Sequence, residues 1–211
     1  MTIKLRSVKP QEIEAESFRL IEEELGAHGL DPQTFAVVRR VIHATGDFSF
    51  AETLCFHPGA IGAGLAAIRA GKDVLVDVNM GAVGVNRGLL SQWGGKVVCG
   101  LSDPAVAELA RSGGLTRSEA AMIRFLRPGL GLVAIGNAPT ALLKLMELVD
   151  RRPELQPGLV IGVPVGFVNA AESKELLARQ PYPFITCRGR KGGSPVAAAI
   201  VNALLHLARE Q

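Results

Sequence analysis

From residue 130 onward the chain repeats one pattern three times: a short run that is apolar at every position but Thr186, then a segment of helical length. The runs are Leu130–Ile135, Leu159–Val163 and Phe184–Cys187. The segments are Pro139–Val149, Asn169–Ala178 and Ser194–Ala208. A strand that is apolar throughout must be covered on both faces, and strands that alternate with helices pair in parallel. The pattern therefore predicts a parallel sheet between two layers of helices. Two more strands are expected at Asp73–Asp77 and Lys96–Cys99. Further helices are expected at Gln11–Gly26, from Asp31-Pro32 to about His43 with Gly46 as the stop, and over Pro58–Ala70 closed by Gly71. Two follow at Asp103–Arg111 and Arg117–Leu126, the second opened by a capping box, Thr116-x-x-Glu119. With no linker and no repeat of solenoid length, residues 1–211 read as a single α/β domain, mostly parallel and Rossmann-like.

Several functional classes fall away on composition. Apolar residues make up 48% and charged residues 20%, enough for a folded core. Aromatics are only 5%, too few for a platform that stacks single-stranded nucleic acid. The net charge of +3 is spread along the chain, so nucleic-acid binding through a dense basic patch is not expected. Cys55, Cys99 and Cys187 are isolated and show no metal-ligand spacing. No metal site is expected, and a reduced, cytoplasmic setting is the simplest reading. The stretch MTIKLRSVKPQEIEAES lacks the apolar core of a signal peptide. No apolar run reaches the roughly 18 residues of a membrane span, so no membrane partner is expected.

In sheets of this kind ligands bind beyond the carboxyl ends of the strands. Three strand-end loops share one design: Ile135–Thr140, Gly162–Phe167 and Arg188–Ser194. Each carries glycine and runs into a helix start, where backbone N–H groups and the dipole suit an anion. The third adds Arg188, Arg190 and Lys191, cations that match carboxylate or phosphate. Thr140, Gly166 and Ser194 lie in these loops and are candidate ligand contacts. An anionic small ligand is the physical expectation. Gly62-x-Gly64-x-x-Ala67 fits a dinucleotide fingerprint formally, but it lies inside a helix and precedes its strand, so close helix packing is the better reading. Asp77, at a strand end, is expected either to cap a helix or to line the ligand site. His43 sits in the last turn of its helix; imidazole suits proton transfer near neutral pH, and it also suits a helix C-terminus electrostatically.

The chain resembles the precorrin-8X methylmutase family, including its cobalt-precorrin-8 branch. The resemblance is carried in order by Ile13–Phe18, Val41–Gly46, Ala66–Gly71, Asp77–Met80, Thr116–Ser118, Ala134–Leu142, Gly162–Lys174 and Arg188–Ser194. It implies an isomerase of cobalamin biosynthesis that moves a methyl group from C-11 to C-12 of the tetrapyrrole, giving hydrogenobyrinate or cobyrinate. By resemblance His43 is the catalytic residue, a proton donor and acceptor, and Ser17, Arg40, Arg117 and Asn137 approach the substrate. The resemblance further implies a homodimer with the site near the subunit interface, and no cofactor. The context Ile42–Thr45 with Asp47-Phe48 leans toward the cobalt branch; whether the substrate carries cobalt stays open. Where other members carry a larger residue after Met80, this chain has Gly81. Two rivals remain at this point: a tetrapyrrole carrier without turnover, and a nucleotide-dependent enzyme on a Rossmann-like sheet.

Overall fold

A computed structural model describes residues 8–210. The first seven residues of the stretch read for a signal segment lie outside the described residues. The chain opens with helices α1 (Ile13–Leu25) and α2 (Pro32–Thr45), then a short α3 (Phe50–Thr53) and strand β1 (Leu54–Phe56). It continues through α4 (Ala60–Arg69), β2 (Val74–Val76), α5 (Asn79–Gly84), α6 (Arg87–Gln92) and β3 (Val97–Cys99). Next come α7 (Pro104–Gly113), α8 (Arg117–Phe125), β4 (Leu132–Ile135) and α9 (Pro139–Arg151). Strand β5 (Leu159–Gly162), α10 (Ala170–Leu177), β6 (Phe184–Cys187) and α11 (Ser194–Glu210) complete the fold.

The six strands form one sheet in the order β1-β6-β5-β4-β2-β3. All pairings are parallel except β1 with β6. Side chains alternate across the strands and divide the interior in two. Val74, Val76, Leu132, Ala134, Leu159 and Ile161 face one core with residues of α2, α4, α5, α6 and α11; Leu75, Val133, Ile135 and Val160 face the other with residues of α8, α9 and α10. This two-sided burial is the physical reason the strands are almost wholly apolar; the exception, Thr186 in β6, donates its hydroxyl to the Gly162 carbonyl at 2.6 Å. Helix α11 is buried along most of its length and packs on α2, α4 and α5.

Local chemistry sets the helix boundaries. Asp31 accepts from the backbone N–H groups of Gln33 and Thr34 at the start of α2, and Gly46 ends that helix at φ 66°. Thr116 and Glu119 form both halves of the expected capping box of α8. Thr116→Ala is expected to lower unfolding stability by about 1 kcal/mol; an unchanged denaturation midpoint would refute the cap's contribution. Gly64 packs as expected, since a Cβ there would come within 3.0 Å of Leu159 and Leu204; Gly62 has no such neighbour.

Three departures from the sequence reading stand out. Strand β1 went unrecognised because it is three residues long, lies at an edge and buries only Leu54 fully. Helices α3, α5 and α6 are four to six residues long, too short for periodicity to register. The third expected helix starts at Ala60, because His57 first forms a turn: its Nδ1 accepts from Gly59 N–H and its carbonyl from Ala60 N–H.

Candidate active site

Beside β2 the chain changes direction: β3 lies to one side and β4, β5 and β6 to the other. Such a switch point usually opens a crevice for ligand. Here Asp77, 1% exposed, fills it. Its carboxylate accepts from the backbone N–H groups of Gly136, Asn137 and Ala138 at 3.2, 2.8 and 2.8 Å. Burial pushes its carboxyl up from the usual carboxylate range, against the pull of those three donors. Asp77 thus neither caps a helix nor lines an open crevice; it anchors the first strand-end loop from beneath. Those three N–H groups, read from the sequence as available to an anionic ligand, are bonded to a carboxylate of the protein itself.

The loop glycines also serve the protein. A Cβ on Gly136 would lie 2.7 Å from the Gly193 carbonyl and from Ser194, and one on Gly192 would lie 2.2 Å from the Val163 carbonyl. Gly193 N–H donates to Val163 (2.8 Å) and Gly166 N–H to Arg190 (3.2 Å). The three loops are therefore packed backbone to backbone, and glycine is required for that close approach rather than for approach to a ligand. Ser194, a candidate contact, is 6% exposed.

On the outside of these loops the surface is apolar with a cationic rim. Phe167 and Val168 are among the most exposed apolar side chains, as are Met80 and Val83 of α5. Met80, Val83, Pro195 and Ala198 line a groove of about 530 Å³ between α5 and the start of α11. The Arg190 guanidinium sits 5.5 Å from the Phe167 ring centroid. Gly81 is buried, and a Cβ there would make ordinary contact with Val76, so its small size does not reshape the wall.

His43 is exposed in the last turn of α2, four residues before the Asp47 that Lys191 of the third loop reaches. Ser17 Oγ on α1 is 2.8 Å from His43 Nδ1, and Phe18 meets the imidazole edge-on at 5.3 Å. When the Ser17 hydroxyl donates to Nδ1, Nε2 carries the ring proton and is the nitrogen turned over to other partners. Arg40, one turn earlier, is held by Glu14 at 2.7 Å and lies over Phe18.

The candidates gather in three groups. Ser17, Arg40 and His43 sit together on α1 and α2. Asn137 and Thr140 share the first loop, with Arg117 beside them because Thr116 and Thr140 hydroxyls meet at 3.0 Å. Gly166, Arg190, Lys191 and Ser194 lie in the second and third loops. Backbone packing joins the last two groups. The first is joined to them by Lys191, whose Nζ bonds Asp47 at 2.6 Å and Ser49 at 3.0 Å, just beyond His43. That pairing draws the Asp47 carboxyl down to about 2. Among the described residues, no hydrogen bond or ring contact joins His43 itself to the loops. Arg188 departs from the cluster and lines a separate cleft with Cys55, Phe56 and Glu175. Asp47, Ser49, Phe18, Phe167 and the anchor Asp77 were not assigned these positions from sequence; only the strand-end position of Asp77 signalled a role. Among the described residues, no cluster could hold a metal ion and no helix is long and apolar enough to cross a membrane.

A Rossmann-like sheet whose switch point is closed by its own carboxylate, with the candidate residues on outer loops and a neighbouring helix, sets this α/β fold apart from the dinucleotide binders. Comparison with known proteins gives the family. The model of the precorrin-8X methylmutase family matches residues 12–207. The cobalt-precorrin-8 methylmutase of Priestia megaterium is 48% identical over 203 residues, covering 96% of this chain and 90% of that protein. The precorrin-8X methylmutase of Pseudomonas aeruginosa is 44% identical over 197 residues, covering 92% and 94%. The crystal structure of the precorrin-8X methylmutase from Thermus thermophilus superimposes with a TM-score of 0.86 at 45% identity, covering 95% of this chain and 97% of that one. The chain belongs to the precorrin-8X methylmutase family and is an isomerase of cobalamin biosynthesis.

Proposed function

We propose that this enzyme converts precorrin-8X or cobalt-precorrin-8 by moving a methyl group from C-11 to C-12, with His43 lending a proton to the macrocycle and taking one back. The bond from C-11 to the methyl carbon breaks as the bond to C-12 forms. Substrate and product have the same atoms, so no co-reactant is needed. Such a shift asks the protein to hold the ring in one orientation and bias its electron distribution. The observation that carries the reading is the Ser17–His43 pair at 2.8 Å, four residues from the Asp47 that Lys191 of the cationic loop bonds. A corrin precursor combines a broad apolar ring with a fringe of carboxylates, which suits Phe167, Val168, Met80 and Val83 as a floor and Arg190 and Arg117 as a rim. Asn137 and Thr140 complete the first loop's contribution, and Arg40 and Ser17 steady the imidazole.

The same reading takes the enzyme as a homodimer with the site near the subunit interface. It also places the enzyme in a reducing, cytoplasmic setting, where its three cysteines stay free.

Absorbance spectra recorded after adding metal-free and cobalt-bound substrate separately test the reaction. A progressive change in conjugation with either substrate is expected, which a carrier without turnover does not produce. Static spectra with both sink the assignment. Product should also bind tightly, with Kd at or below the micromolar range, because the same rim meets the product's carboxylates. A Kd in the millimolar range would count against the cradle.

A further inference from the structure

Asp77 holds the first strand-end loop from beneath; a buried lysine does the same for the third. Lys174 on α10 is 1% exposed. Its Nζ donates to the Lys191 carbonyl at 2.5 Å and lies 3.5 Å from Cys187 Sγ. The Cys187 thiol donates to the same carbonyl at 3.2 Å. Among the described residues, no carboxylate lies within ion-pairing distance of Lys174. Lysine is almost never fully buried unless paired, and burial pushes this one below the ordinary lysine range. It occupies the inner stripe of α10 with Ala170, Ser173 and Leu177, positions that packing alone would fill with an apolar side chain. A polar group retained there needs a partner that justifies it, and that partner is a backbone carbonyl of the cationic loop.

Drawing the Lys191 carbonyl inward fixes the orientation of its peptide. The side chains of the loop are then presented on the outer side, where Arg190 lies over Phe167 and Lys191 reaches Asp47 and Ser49. We propose that Lys174 is a positioning residue, whose buried amine grips the Lys191 carbonyl and so aims the Arg188–Ser194 loop at a carboxylate-bearing ligand. The proposal rests on reading that loop as the rim of the corrinoid site.

The test compares Lys174→Met, which keeps length and bulk but cannot donate, with Lys174→Gln, which keeps an N–H donor without charge. Backbone amide exchange over residues 188–193 is followed without ligand, and hydrogenobyrinate affinity is measured by absorbance titration. Lys174→Met is expected to melt no lower than wild type, because Met avoids the cost of desolvating an ammonium and the Cys187 thiol still donates to the Lys191 carbonyl. Its loop amides should exchange at least tenfold faster, and hydrogenobyrinate should bind at least tenfold more weakly. Lys174→Gln should recover part of both. A side chain that only fills space would leave exchange and affinity unchanged in Lys174→Met, and that result overturns the proposal. If Lys174→Met does not fold, Lys174→Leu, likewise without a donor, is judged by the same readings: faster exchange over residues 188–193 supports the grip, and wild-type exchange overturns it. Should wild-type protein bind no corrinoid, the functional reading falls, while the exchange measurement still decides the role of Lys174.

Discussion

His43→Ala is expected to lose roughly a hundred- to ten-thousand-fold in turnover while folding normally and still binding product, the range that general acid–base catalysis typically contributes. The separation of effects follows from where the residue sits. His43 is exposed in the final turn of α2, and its neighbours Val41 and Ile42 carry the packing of that turn. Removing the ring forfeits the hydrogen bond to Ser17 and the edge contact with Phe18, together about 1–2 kcal/mol of a surface cluster. Binding should survive because the proposed floor and rim lie on α5, α11 and the strand-end loops. Turnover should not, because the Ser17 hydroxyl bonds the His43 imidazole alone: His57 is engaged with Gly59 and Phe184, His28 stacks on Phe35, and His206, close enough to feel Arg40 and Glu14, is pushed below the usual imidazole range by burial. Single-turnover kinetics alongside product titration separate the two quantities. Wild-type turnover in purified His43→Ala would remove the imidazole from the mechanism. Ser17→Ala should lower turnover less, since it releases the orientation of the ring but leaves the ring in place.

The largest effect on stability is expected at Asp77. Asp77→Ala strands three backbone N–H groups at the sheet's switch point and removes the only carboxylate they bond. Hydrogen bonds to charged groups are worth more than neutral ones, and an orphaned buried N–H costs about 1–3 kcal/mol. Water entering the vacated volume relieves part of this, leaving a loss of about 3–5 kcal/mol in denaturant unfolding. Asp77→Asn should fall between the two, because an amide offers one acceptor oxygen where the carboxylate offers two. Asn137 is carried by the same loop, so both substitutions should also weaken product binding. A denaturation midpoint equal to wild type in Asp77→Ala would refute the anchor.

Much of this molecule is legible without coordinates because its signals are local. Five of the six strands announce themselves as runs that are apolar but for Thr186, and the starts of α2, α7 and α8 are marked by Asp31-Pro32, Asp103-Pro104 and Thr116-x-x-Glu119. Strand β1 is invisible because its pairing with β6 joins residues far apart in sequence, Phe56 with Ile185 at 129 positions and Cys55 with Thr186 at 131. Lys174 left a faint trace, a lysine on the apolar stripe of its helix. Lys191 left none: its type and loop point to a ligand, yet its ammonium is bonded to Asp47 and Ser49.

The candidate site divides in the same way. Residue types suited to carboxylates and to proton transfer can be read from composition and motif, since those capacities belong to the side chain itself. The direction in which each group points cannot, because it depends on what lies beneath it. The first and third loops look alike as glycine-containing strand ends, but one has its N–H groups drawn inward by a buried carboxylate and the other has a carbonyl drawn inward by a buried amine. Alternating apolar runs and helix signals determined the sheet and its two covered faces, because burial and hydrogen bonding act on each segment where it stands. Only the tertiary structure decided which loop groups are spent within the protein and which face outward, because that depends on charges brought beneath the loops from distant parts of the chain.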